Sequence, residues 1–191
     1  MKNILIMGIG RAGKTTLSLK IKDKYKNYNL IHSDSLKWAI IRAMHKEEYY
    51  RENIDKQKEY EHGDFFQRTL LELFNSLTRN DKNNYGYLLE SGQLHPKIVK
   101  EMIDFENTIV ICLGLGSLSI DDMVNQCLKY DTEDSWTYGL PKEYIRKHAE
   151  DWYQCNEMLK RECPRYGINY IDTSKNREEI LNKIIDELEN N

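Results

Sequence analysis

The run Gly8-Ile9-Gly10-Arg11-Ala12-Gly13-Lys14-Thr15 fits the pattern G-x-x-x-x-G-K-S/T at every position. Each residue type there has a physical reason to meet a polyphosphate. Gly8 and Gly13 permit backbone angles that a side chain forbids. The N–H groups between them, those of Gly10, Arg11 and Ala12 included, then turn inward as a nest for phosphate oxygens. A helix behind the loop adds the positive end of its dipole, through a first turn of Lys14, Thr15 and Thr16. Lys14 carries a full charge to the β- and γ-phosphates, and the Thr15 hydroxyl is placed to ligate Mg²⁺. The competing reading is a glycine turn with a surface lysine. The complete pattern, after an apolar strand and before a helix, favours the phosphate loop.

Two carboxylates stand at comparable places. Asp34 follows Leu30-Ile31-His32, read as the end of a second strand. A carboxylate beside a γ-phosphate can orient an acceptor and take its proton. Asp is also a preferred helix N-cap, and the two roles are compatible. Glu90 ends the apolar run Tyr87-Leu88-Leu89. An acid there has the Walker B arrangement and can hold Mg²⁺ through water or meet the substrate. Most such acids are Asp, and a strand-end acid facing water is the plain alternative.

Phosphoryl transfer also needs cations. Arg146, with Lys142 and Lys147 beside it, lies on the helix that Pro141 opens. Arg42 lies about two turns after Asp34. It could reach an anionic substrate, as could Arg51 or Arg68. A solvated helix face is the alternative for each.

These residues need elements to position them. Short apolar runs alternate with amphipathic stretches. Strands are expected at 4–7, 30–32, 85–89, 108–113 and 168–172, and helices at 15–25, 36–44, 65–77 and 96–105. Ser119 with Asp122 forms a capping box for the next helix. The helix from Pro141 carries the stripe Ile145, Ala149, Trp152, Leu159 and Cys163, and Pro164 and Gly167 end it. The last helix spans 176–190. The alternation implies an α/β fold of three layers, α/β/α, around a five-stranded parallel sheet. Two polar stretches fit it poorly, about 45–64 and 129–140. They are either surface insertions or flaps over a site.

Composition bounds the rest. A chain of 191 residues suits a single domain, 1–191. Its 28 basic and 31 acidic residues leave a net charge of −3, which argues against a nucleic-acid surface. Glu133 and Asp134 argue the same for the stretch around Trp136, where a substrate or lid-closure contact stays an open role. No apolar run is long enough to span a membrane, and no export signal is evident, so a cytoplasmic protein is expected. The four cysteines show no C-x-x-C pair and read as reduced structural thiols. The oligomeric state is not legible.

The phosphate loop together with this element order resembles the small-molecule kinases of the P-loop superfamily, the group of nucleoside monophosphate kinases, shikimate kinase and gluconate kinase. The resemblance covers the whole length. It implies ATP and Mg²⁺, a small-molecule acceptor, a substrate-side insertion at about 45–64 and a lid at about 129–148. It also implies adenine beside the loop after the last strand, which makes Thr173, Ser174 and Arg177 candidates. Capping of the last helix by Ser174 or Asn176 is the alternative. Glu90-Ser91-Gly92 with Leu94-His95-Pro96 is similar to the E-G-x-x-L-x-P segment of 2-phosphoglycerate kinases. A guanine-reading N-K-x-D element is absent, since Asn182-Lys183 runs into Ile184-Ile185. The expected activity is phosphotransfer to a nucleotide, nucleoside or hydroxylated metabolite. The alternative is a nucleotide-binding sensor or slow ATPase. A nucleic-acid end kinase fits the charge balance least.

Overall fold

The computed structural model of the chain describes residues 2–44, 63–80, 85–133 and 135–189. Most of the expected insertion, together with Arg51 and Asp134, lies outside the described residues.

The sheet has five parallel strands in the order β2-β3-β1-β4-β5. They are β1 Asn3–Gly8, β2 Tyr28–His32, β3 Gly86–Ser91, β4 Thr108–Gly114 and β5 Asn169–Asp172. The helices among the described residues are α1 Lys14–Lys24, α2 Ser33–Ala43, α3 Asp64–Asn80, α4 Pro96–Met102, α5 Ile120–Tyr130, α6 Lys142–Arg165 and α7 Arg177–Glu189. Ile4 through Gly8 of β1 are all buried, and β4 is nearly so. Strands covered on both faces read as unbroken apolar runs, which is why these two were plain in the sequence. Helix α1 packs on β1, β2 and β3, and α6 packs on β4 and β5. The central strand β1 lies between β3 and β4, and the connection after β1 runs toward β2 while that after β4 runs toward β5 on the opposite side. The carboxyl end between these two connections is the crevice where ligands of open α/β sheets bind.

Several local expectations hold. Ser119 caps α5 in a reciprocal capping box with Asp122. Pro141 is the N-cap of α6. Others shift. Helix α6 does not stop at Pro164 but carries it in its last turn and ends at Arg165, before Gly167 at φ +70°. Asn176 adopts φ +50° and precedes α7, which starts at Arg177.

Candidate active site

The loop between β1 and α1 owes its shape to neighbours as much as to its own residues. Gly8 adopts φ +138°, and a β-carbon there would lie 1.9 Å from the Leu113 carbonyl oxygen. Gly10 is needed for space: a β-carbon there would lie 2.7 Å from Nε1 and Cε2 of the Trp152 indole. Ala12 is buried, and its carbonyl accepts from the Thr173 hydroxyl at 2.8 Å. The same hydroxyl reaches the Gly114 carbonyl at 3.0 Å, so one side chain of the β5–α7 loop ties the phosphate loop to β4.

Helix α1 is open to an anion. Its N-cap, Gly13, makes no side-chain cap, and its first turn carries no acid. The first N–H groups of a helix have no partner within it, so here they are left for a ligand. Thr15 and Thr16 are exposed in that turn. Lys14 is buried, and its Nζ donates to the Ile9 carbonyl at 2.7 Å. Burial pushes its ammonium below the ordinary lysine range, and the charges of Glu90 and Asp34 oppose the shift. Both candidate carboxylates therefore lie within electrostatic reach of Lys14.

Their placement differs in detail from expectation. Strand β2 ends at His32, which is also the N-cap of α2, so Asp34 is neither strand end nor N-cap. It sits in the first turn of α2, where an acid complements the helix dipole. Its Oδ1 meets Lys37 Nζ at 2.9 Å and Gln93 Nε2 at 3.3 Å. Glu90 is followed by one more strand residue, Ser91. It is in register with Ile6 of β1 and His32 of β2. Its Oε2 lies 2.8 Å from His32 Nδ1. Gly92 then passes beside the Lys14 ammonium, since a β-carbon there would lie 3.7 Å from Nζ.

The stretch expected as a lid is a chain of turns after α5. Arg11 enters it. Its guanidinium lies 2.9 Å from the Asp131 carboxylate and also meets the Thr137 hydroxyl. Arg11, at φ +66°, thus directs its side chain to these turns, and only its backbone is left for the nest. Trp136 packs edge-on to Trp152 and His148. Trp152 was expected in the core stripe. Ile145, Ala149, Leu159 and Cys163 are indeed buried there, whereas Trp152 is half-buried against the loop.

The remaining basic candidates have protein partners. Arg146 pairs with Asp121 at the start of α5. Arg68 pairs with Asp64 and Glu101 at 2.8 Å each, on the outer flank of α3 and α4. Arg42 lies over the Trp38 ring, 5.6 Å from its centroid. On the other side of the loop, Arg177 covers Gly13: a β-carbon there would lie 3.3 Å from its Cδ. Burial and the nearby Arg11 charge lower the pKa of Arg177. Asp172 accepts from the N–H groups of Gly116 and Ser174, and the Ser174 hydroxyl meets Ser117. Thr173 is fully buried, so its side chain braces the loop rather than lining a base pocket.

Sequence reading missed Gln93, buried at the end of β3, and the pair Asp131 and Thr137. None belongs to a periodic pattern or a motif. The cysteines are free thiols; Cys112, Cys127 and Cys163 are buried, and burial raises Cys155 to about 11. No group of three or more His, Cys, Asp or Glu side chains among the described residues forms a cage for a metal ion. Mg²⁺ brought in with a nucleotide fits the exposed Thr15 and nearby Glu90, since it keeps several waters and takes few protein ligands. No helix among the described residues is long and apolar enough to cross a membrane.

No protein-family model matches the chain, and no curated protein does. Solved structures do. Shikimate kinase from Acinetobacter baumannii, in complex with shikimate, is similar at TM-score 0.54 and 19% identity, over 98% of this chain and 93% of that one. Deoxyadenosine kinase from M. mycoides with bound dATP is similar at TM-score 0.54 and 16% identity, over 99% and 100%. Shikimate kinase from Bacteroides thetaiotaomicron gives 0.51 and 15%, over 98% of each chain. The five-stranded parallel-sheet fold of this chain is thus shared with solved shikimate and deoxyadenosine kinases.

Proposed function

We propose that the chain is an ATP-dependent phosphotransferase that moves the γ-phosphoryl group to a hydroxyl of a small molecule. The observation that carries this is geometric: the β3 end that carries Glu90 passes beside the Lys14 ammonium at Gly92 and bonds Asp34 through Gln93. A loop that only gripped a nucleotide would not need a second carboxylate across from its lysine.

The backbone nest, the first turn of α1 and Lys14 bind the β- and γ-phosphates. Thr15, and Glu90 through water, would hold Mg²⁺, which when bound neutralises phosphate charge. An acceptor hydroxyl oxygen forms the new bond to the γ-phosphorus. The bond from that phosphorus to the β–γ bridging oxygen breaks, and ADP leaves. The hydroxyl proton passes to Asp34. A neutral hydroxyl is the acceptor group that suits a carboxylate, since an anionic phosphate acceptor would be repelled there. Arg146 reaches the transferring group by exchanging Asp121 for phosphate. Ser174 and Arg177 face the base side of the nucleotide. Arg42 and Arg68 are the further substrate-side candidates, and Arg68 would first have to leave its two carboxylate partners.

ADP release from MgATP, measured across nucleosides, nucleotides, sugars and hydroxy acids, tests the reading. Acceptor-stimulated turnover is expected, and it disappears in Lys14→Met and Asp34→Asn. Arg146→Ala should lower kcat by about tenfold or more while costing under about 1 kcal/mol of stability, because its ion pair is exposed. The pairing of Arg146 with Asp121 also favours a second reading, a nucleotide sensor or slow ATPase. Tight ATP binding with no acceptor stimulation would select that reading.

A further inference from the structure

Beneath Asp34 lies a polar network that no phosphate-binding role requires. Gln93 is buried at 8% exposure. Its Oε1 accepts from Ser33 Oγ at 2.7 Å, from Ser91 Oγ at 3.0 Å and from the Gly92 N–H at 3.2 Å. Ser91 Oγ in turn accepts from the Gln93 N–H at 3.2 Å, which leaves the Ser91 proton for Oε1. The Gly92 N–H can only donate. The Gln93 amide therefore cannot flip, because that would set its NH₂ group against another donor. Its Nε2 is left aimed at Asp34 Oδ1, 3.3 Å away. Lys37 Nζ forms an ion pair with the same oxygen at 2.9 Å. Among the described residues nothing donates to Oδ2.

We propose that Gln93 is a positioning residue for Asp34: with Lys37 it engages Oδ1, so that Oδ2 is the oxygen offered to the acceptor's proton. The proposal rests on the reading of Asp34 given above. It assigns the Ser91-Gly92-Gln93 corner a purpose beyond closing β3, because the corner borders Lys14 through Gly92 and Asp34 through Gln93. One buried amide thus sets the carboxylate in register with the phosphate loop. The Asp34 side chain is 65% exposed, so without Gln93 the Lys37 ion pair alone would hold it, and a displacement of about 1 Å can cost about a hundredfold in rate.

Gln93→Glu separates positioning from packing. It keeps an oxygen to accept from Ser33, Ser91 and Gly92, but it turns a second carboxylate oxygen toward Asp34 in place of the donor. The probe is MgATP with water as acceptor, measured as phosphate release, alongside Asp34→Asn. We expect Gln93→Glu to lower kcat about tenfold or more with KM for MgATP within about twofold, the mark of a group acting on the transferring step. Retained kcat in Gln93→Glu with loss in Asp34→Asn overturns the proposal alone. Retained kcat in Asp34→Asn overturns the reading of Asp34, and the proposal with it. A second readout needs no turnover. The Gln93 side-chain amide protons should be protected from exchange in the NMR spectrum of the wild-type chain and lose protection in Asp34→Ala. Protection unchanged by that substitution overturns the proposal.

Discussion

The Trp152 indole occupies the space that a β-carbon on Gly10 would need. The pattern G-x-x-x-x-G-K-S/T leaves the third position free, yet here the partner on α6 restricts it to glycine. Gly10→Ala should cost about 1–3 kcal/mol through overpacking and weaken ATP binding, since the loop or the indole must move. Gly10→Ala combined with Trp152→Leu should recover part of both losses. Urea unfolding and calorimetric ATP titration of the four proteins in the cycle check this, and additive losses would show that the two residues are not coupled.

Arg11 and Asp131 tether the turns after α5 to the loop between β1 and α1, and the Asp131 side chain is only 8% exposed. Removing the arginine leaves that carboxylate without its charge partner in a poorly solvated place. Arg11→Gln should therefore destabilise the chain by about 1–3 kcal/mol. It should also speed tryptic cleavage after Lys129 or Lys142, which flank these turns. Cleavage at the wild-type rate would mean that the turns are held by their aromatic contacts instead.

Thr173→Val keeps the volume and removes the hydroxyl. Gly114 keeps the Thr173 N–H as a donor at 2.8 Å, but the buried Ala12 carbonyl loses its side-chain donor. The expected cost is about 1–3 kcal/mol, read as a lower midpoint in urea. ATP affinity should fall as well, because the carbonyl belongs to the loop. Unchanged affinity with lowered stability would confine Thr173 to joining strands.

Lys14 supplies a pH prediction. Burial holds its folded-state pKa below the ordinary 10.5, so the free site sheds this proton more readily than an exposed lysine does. Phosphates favour the ammonium and raise the pKa. ADP binding should then take up protons in the window between the lowered value and 10.5, and affinity should fall as pH rises through it. Calorimetry at about pH 9 in two buffers of different ionisation enthalpy measures the uptake. Zero uptake across that window would show that phosphate does not act on the Lys14 charge. A second consequence is that, in the free protein, stability gains as pH rises through the same window, because the unfolded chain holds the proton that the folded chain releases.

The parts of the site that were legible share one property: they are local. The phosphate loop is one contiguous run, and β1 and β4 are unbroken apolar runs because both faces are covered. The same logic located the capping box at Ser119 and Asp122, which are three residues apart. The rest depends on contacts distant in sequence. Gln93 and Asp34 are 59 positions apart, and nothing about an isolated glutamine before Pro96 signals its partner. Trp152 fell on the helical stripe of α6 and so read as core, because periodicity reports a face and not what that face meets. The first turn of α2 was misread for a smaller reason. His32 serves as both strand end and N-cap with no linker between them, so Asp34 moves two residues into the helix without any change in its neighbours.

The bond from Thr173 to Ala12 joins residues 161 positions apart, across nearly the full length of the chain. Contacts of that separation form late, because a long loop must close before they are rewarded. The central strand must likewise wait for β3 and β4 on its two sides. The loop after β1 is therefore synthesised well ahead of the strand that braces it, and it is among the last parts of the fold to take its shape. A nascent chain that stops short of β5 would display every residue of the motif and lack the Thr173 brace on Ala12.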